Sequence, residues 1–254
     1  MKTVALIYGG ESGEHDVSCV SAGYLEQTIA AAGFTAVPVY ISRKGEWHRQ
    51  PRVATLAAEN VQNPSSLLQK NGRVVLTSAT EETAIDFAFP IVHGTAGEDG
   101  SLQGFFEVLG LAYAGSGVAT SAVCMDKALM RALFAVNQIP QVEYFVIADA
   151  ESADSEKIHA RIESSFGYPV FIKPCNMGSS VGVHKVSGRD ALAKAIRDAA
   201  VKAGICRADV ALTGPQLLML CDDMATALRP NDQSHRGAQG SSRGSGGLTG
   251  SAAD

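Results

Sequence analysis

Lys173 ends the apolar run Val170-Phe171-Ile172 and opens into Pro174-Cys175-Asn176-Met177-Gly178-Ser179-Ser180-Val181-Gly182. A short strand that delivers a lysine into a Gly/Ser loop suits the phosphates of a nucleoside triphosphate. Gly178 and Gly182 let the backbone approach phosphate oxygens, the Ser179 and Ser180 hydroxyls can donate to them, and Lys173 adds a positive charge. A hairpin turn with Lys173 on a solvated edge fits the same residues, because Gly/Ser turns also serve purely conformational needs. Two upstream segments again combine glycines with acids. In Gly9-Gly10-Glu11-Ser12-Gly13-Glu14-His15-Asp16-Val17-Ser18, Glu14 follows a strand and precedes a helix. A carboxylate there either meets a ligand's cation or interacts with the helix dipole. In His93-Gly94-Thr95-Ala96-Gly97-Glu98-Asp99-Gly100-Ser101-Leu102-Gln103-Gly104, His93 closes a strand and its ring can face a crevice. Glu98 and Asp99 read as loop and helix-cap residues.

These segments need a folded frame, and the chain is long enough to build one. It has 254 residues, 46% of them hydrophobic, which suits one large or two moderate domains. A formal charge of -5 with no Lys/Arg run argues against nucleic acid or an anionic membrane as partner and favours small ligands. The five cysteines are widely spaced and form no C-x-x-C pair, so they read as reduced cytosolic thiols and imply neither a disulfide framework nor a zinc site. The apolar stretch at 4–8 is too short for a signal segment, and no later run has the length of a membrane span.

Along the chain, residues 3–8 predict a buried strand. A helix follows with Val17, Val20, Tyr24, Leu25 and Ile29 at helical spacing, stopped by Gly33 before a second strand at 36–41. The stretch 43–72 is polar, with Trp47 packed beneath it. Strands are expected at 73–76 and 86–93, a helix at 101–109 with apolar Leu102, Phe105, Phe106 and Leu109, and a short strand at 111–113. The fold class is therefore α/β, with a three-layer, parallel-sheet N-terminal domain over 1–122. A helical pair breaking at Asp126-Lys127, a strand at 142–147, a helix at 153–166, two strands around the Gly178 loop and a helix at 189–203 give a small α+β domain over 123–203. Residues 204–254 are expected to be irregular to disordered: the last 26 hold six glycines and five serines with almost no apolar side chains.

In order and spacing, the Gly9 and His93 motifs and the Lys173 loop, together with Gly115-Ser116-Gly117 and Met125-Asp126-Lys127, resemble D-alanine:D-alanine ligases of the ATP-grasp superfamily. The likeness covers about residues 1–200. It implies ATP-dependent joining of two D-alanines through an acyl phosphate for peptidoglycan synthesis, with ATP and Mg²⁺ (or Mn²⁺) as cofactors, a cytoplasmic location and a possible homodimer. By the resemblance, Glu14 pairs with the ammonium of the first D-alanine, His93 lies near that substrate, and Lys127 and Lys173 meet ATP phosphates. Gly178, Ser179 and Ser180 belong to a loop that closes over the phosphates, with Ser179 near the reacting groups. The family's adenine hinge and metal-holding carboxylates are not recognisable. Asp222, Asp223, Asn231 and Asp232 form the only acid or amide cluster downstream, in a stretch without strand periodicity, so no metal ligands are assigned. The chain thus reads as a truncated ligase, inactive as encoded, with a frame-shifted tail from about 201. The alternatives are a non-catalytic fragment that binds D-alanine or a partner, and a D-alanine:D-lactate-type ligase.

Overall fold

The computed structural model describes residues 1–53, 63–147, 156–202 and 218–221. β1 (Thr3–Gly9) is apolar at every position from Val4 to Tyr8, and all of these are buried. A strand of this kind belongs at the centre of a sheet covered on both faces. It pairs in parallel with β2 (Thr35–Ile41), and β2 in turn pairs antiparallel with β3 (Trp47–Arg49). One further sheet, β4 (Ser65–Lys70), β5 (Arg73–Ser78) and β6 (Glu82–Ile85), is an antiparallel meander. β7 (Phe87–Pro90) returns the chain to the other side of β1, again in parallel, completing the order β3-β2-β1-β7.

Alternation along β1 divides the core. Ala5 and Ile7 pack with Val37, Val39 and Ile41 against the meander and α2 (Ser101–Leu109), whose Leu102 and Phe106 are buried. Val4, Leu6 and Tyr8 face the opposite way, toward α1 (His15–Ala31). The layered α/β architecture is as expected, but the sheet is mixed and the polar stretch at 43–72 hides β3 and β4. In β4, Ser65, Leu67 and Gln69 alternate with Ser66, Leu68 and Lys70, so mean polarity conceals a strand whose partner supplies the apolar face. Trp47 does pack on the core beneath this stretch, edge-on to Phe105.

α1 corrects a second expectation. Its buried positions are His15, Ser18, Cys19, Ala22 and Ile29, while Val17, Val20 and Tyr24 are exposed. Small residues allow the helix to lie close on the sheet, and Ser18 gains two hydrogen bonds by facing inward, from the Gly9 N–H and to the Ile91 carbonyl.

α3 (Val118–Met125) and α4 (Lys127–Val136) meet at Asp126, whose carboxylate accepts from the Ala128 and Leu129 N–H groups and so caps α4. β8 (Tyr144–Ile147), α5 (Glu156–Ser165), β9 (Val170–Pro174), β10 (His184–Val186) and α6 (Leu192–Lys202) follow, a short 3₁₀ turn preceding α6. The third sheet has the order β10-β9-β11-β8, where β11 is Leu218–Cys221 and every pairing is antiparallel. β11 falls in the region expected to be irregular; the remainder of 204–254, including Asp222, Asp223, Asn231 and Asp232, lies outside the described residues. Val170 and Ile172 are fully buried with Ile162, Leu192 and Ile196, so the face of β9 toward α5 and α6 is covered, and Phe171 and Lys173 alternate to the other face.

Candidate functional site

β1 ends in the Gly9-Gly10 turn, and the chain re-enters a helix at His15. Glu14 is the N-cap of α1, yet its side chain makes no capping hydrogen bond. The carboxylate instead meets the distant loop between β9 and β10: the Ser179 hydroxyl donates to Glu14 Oε1. A Cβ placed on Gly178 would lie 3.3 Å from Glu14 Oε2 and 4.0 Å from Glu98 Oε2, so the loop backbone passes directly over two carboxylates.

The His93 segment forms the adjoining wall. His93 Nδ1 is 3.5 Å from Glu98 Oε1, and its Nε2 is 3.4 Å from Ser21 Oγ. Glu98 also accepts the Gly94 N–H at 3.0 Å, which folds the turn onto itself. Ser12 joins the two motifs: its hydroxyl donates to the His93 carbonyl at 2.7 Å and accepts the Glu14 N–H at 3.2 Å. Asp99 acts one position ahead of the helix cap, which is Gly100, accepting the Ser101 and Ala96 N–H groups. A cleft of about 430 Å³ opens beside His93 and Glu98, lined also by Gln103, Ser116, Ser121 and Cys124. A larger one, about 1000 Å³, runs along α1 beside Cys19, Tyr24 and Phe34 and contains none of the motif residues.

The loop's base is held by Lys127. Its Nζ donates to the Met177 carbonyl at 2.5 Å and the Cys175 carbonyl at 3.3 Å, and its backbone N–H donates to Cys175 O at 3.0 Å. Burial holds the Lys127 ammonium below its ordinary value; the charge of Lys173 pushes the same way, while Cys175 and Asp126 oppose it. Two cations thus converge on the foot of one loop. Ser179 and Ser180 both have positive φ, 46° and 60°, an uncommon backbone for residues bearing a Cβ. Burial pushes the Cys175 thiol up to about 12, which keeps it protonated beside Lys127.

Glu14, His93, Gly178 and Ser179 therefore come together, and Lys127 and Lys173 flank the far end of the same loop. Ser12, Ser21 and Glu98 escaped the sequence reading as partners, although Ser12 and Glu98 lie inside the quoted motifs. Ser12 and Glu98 lie two and five positions from Glu14 and His93, which was the available signal; nothing in the motifs marked Ser21.

Comparison with known proteins agrees with this frame. The model for the D-ala D-ala ligase N-terminus matches residues 3–116, and the model for the D-ala D-ala ligase C-terminus matches 133–214. The second match continues past the point near 201 where the sequence reading ended the likeness. The D-alanine–D-alanine ligase of Geobacillus thermodenitrificans is 40% identical over 211 residues, covering 78% of this chain and 58% of the relative. That of Pelodictyon phaeoclathratiforme is 35% identical over 229 residues, 85% of this chain and 64% of the relative. Among solved structures, D-alanyl-alanine synthetase A from Vibrio cholerae superposes with a TM-score of 0.70 at 26% identity, covering 87% of this chain and 59% of that one. VanG D-Ala:D-Ser ligase from Enterococcus faecalis gives 0.70 at 28% identity, with 87% and 62% covered. The chain spans about three fifths of the length of these relatives. Two family models matched in chain order, and the same fold in solved relatives, show that the chain belongs to the D-alanine–D-alanine ligase family.

Proposed function

We propose that this chain carries the D-alanine pocket and the phosphate-facing loop of an ATP-dependent D-alanine–D-alanine ligase of peptidoglycan synthesis. The contact between the Glu14 carboxylate and Ser179 carries the reading, because it joins an anion suited to an amino acid's ammonium to a loop suited to phosphate. Glu14 binds the ammonium of the first D-alanine, and His93, oriented between Glu98 and Ser21, faces the same substrate. Ser179 orients the Glu14 carboxylate and closes the loop over the reacting groups, excluding water that would intercept an activated carboxylate.

The residues at the loop's foot fit a nucleotide. Lys127 is partly desolvated with its charge opposed by Lys173, and a polyphosphate placed between them would relieve that repulsion. Lys127, Lys173, Gly178, Ser179 and Ser180 would hold ATP, which supplies the phosphoryl group that activates a carboxylate. Magnesium or manganese is different. Among the described residues, no group of three or more His, Cys, Asp or Glu side chains could hold a metal ion, so no step is assigned to one.

For the chain alone the proposal is binding of D-alanine and ATP. Calorimetry tests it: D-alanine, and not L-alanine, should give saturable heat, and its absence would reject the reading. We extend the proposal to a cytoplasmic homodimer. Its support is the family, the three unbridged cysteines among the described residues and the exposed Val17, Val20 and Tyr24 row of α1. No described helix is long and apolar enough to cross a membrane. Sedimentation showing only monomer at high protein concentration would reject the dimer.

A further inference from the structure

His15, the neighbour of Glu14, is buried, and its ring joins three elements. Nδ1 lies 2.6 Å from the Gly10 carbonyl oxygen. A carbonyl only accepts, so Nδ1 carries the proton. Nε2 of the neutral ring is then an acceptor, and the Tyr40 hydroxyl, 3.1 Å away on β2, donates to it. The Tyr40 ring stands edge-on to the imidazole, 5.5 Å between centroids.

The turn held in this way tolerates little change. Gly9 and Gly10 have φ of 92° and 100°, and a Cβ on Gly9 would come within 2.2 Å of the Ile41 carbonyl oxygen and 3.2 Å of His15 Cε1. The Gly10 N–H donates to Ile41 O at 2.9 Å, so β2 grips the turn from one side and His15 from the other. Glu14 therefore lies between two anchored neighbours: Ser12, tied to the His93 carbonyl, and His15, tied to Gly10 and Tyr40. Its own side chain has no capping bond, so apart from the Ser179 contact at its tip its direction depends on them.

We propose that His15 is a positioning residue: its Nδ1–H imidazole, braced by Tyr40, fixes the Gly9-Gly10 turn and thereby aims the Glu14 carboxylate. The role rests on the reading of Glu14 as the ammonium acceptor. His15 touches no ligand; it converts the geometry of two strands and a helix into one carboxylate direction.

The test uses the full chain and has two independent arms. In the ligand-free protein, the ring nitrogen-15 shifts of His15 should report the Nδ1–H form. Amide exchange at Gly10 and Glu14 should be about tenfold faster or more in His15→Leu than in wild type. By calorimetry, D-alanine affinity should fall about tenfold or more in His15→Leu and stay within about threefold in His15→Asn, whose amide nitrogen can replace Nδ1–H toward Gly10. An Nε2–H ring in the wild type overturns the proposal. So do equal losses in His15→Leu and His15→Asn, or unchanged exchange in a folded His15→Leu. If the wild type takes up no D-alanine, the reading of Glu14 fails, while tautomer and exchange still decide the role of His15. Should His15→Leu not fold, the wild-type tautomer and the retained affinity of His15→Asn decide it.

Discussion

Ser179 donates its hydroxyl to the carboxylate of Glu14 across 165 positions of chain. The bond ties the loop between β9 and β10 to the turn after β1. A carboxylate accepts about four donors, so a substrate ammonium can join this contact without displacing it. Ser179→Ala should therefore loosen the loop more than it weakens D-alanine. Limited proteolysis within 176–182 is expected to rise several-fold, and an unchanged cleavage rate would show that the loop is held elsewhere.

Glu14→Gln keeps the shape and an acceptor for Ser179 but removes the charge. Its D-alanine affinity should fall by about 1.5–3 kcal/mol, the range for a hydrogen bond to a charged group, with ATP binding unchanged. Equal losses for both ligands would mean that Glu14 only shapes the loop.

Lys127 and Lys173 should separate in their effects. Lys127→Ala removes donors from the Cys175 and Met177 carbonyls, so it should lower unfolding stability by about 1–2 kcal/mol as well as weaken ATP. Lys173→Ala should weaken ATP with a smaller change in stability. Urea titration beside nucleotide binding checks the contrast, and identical profiles for the two variants would refute it.

Alkaline pH offers a further test. Burial pushes the thiols of Cys175 and Cys19 up, to about 12 and about 11. Between the ordinary thiol value near 9 and these values, the unfolded chain releases protons that the folded chain keeps. Stability from this source is thus full below about pH 9 and is lost as pH rises toward 11–12, by at most about 1.4 kcal/mol per pH unit for each thiol. Lys127, held below its ordinary value chiefly by burial, works in the opposite sense and offsets part of the slope. Cys175→Ala should flatten the fall measured by urea unfolding from pH 8.5 to 10.5. An unaltered slope would show that the Cys175 thiol is not shielded.

Gly97→Ala probes the wall around His93. A Cβ there would come within 2.0 Å of the Val92 carbonyl oxygen, a backbone atom that cannot turn aside. The variant should lose about 2–3 kcal/mol of stability, measured by chemical unfolding. A loss below 0.5 kcal/mol, roughly the scale of a neutral surface change, would show that the turn relaxes freely.

The sequence was most legible where a local pattern has one physical solution. β1 is continuously apolar, Gly110 follows the last turn of α2, and Asp126 heads α4; each element formed as read. It was less legible where a partner decides the outcome. The apolar spacing of Val17, Val20 and Tyr24 suggested the buried face of α1, yet the helix turns Ser18, Cys19 and Ala22 inward. The sheet rewards close approach and inward hydrogen bonds there more than bulk. β4 was hidden because its strand character comes from pairing with β5.

The sequence by itself determined three short motifs and their order: the Gly9 turn with Glu14, the turn that follows His93, and the Lys173 loop with its serines. These are properties of residue type and short spacing, where glycine torsions, capping and charge act within a few bonds. The tertiary structure alone decided that Ser179 meets Glu14, that Lys127 holds the Cys175 and Met177 carbonyls, and that His15 joins Gly10 to Tyr40. Contacts so distant in the chain depend on how two sheets and their helices pack, because the burial of apolar faces fixes the direction of each element and so which distant polar groups meet.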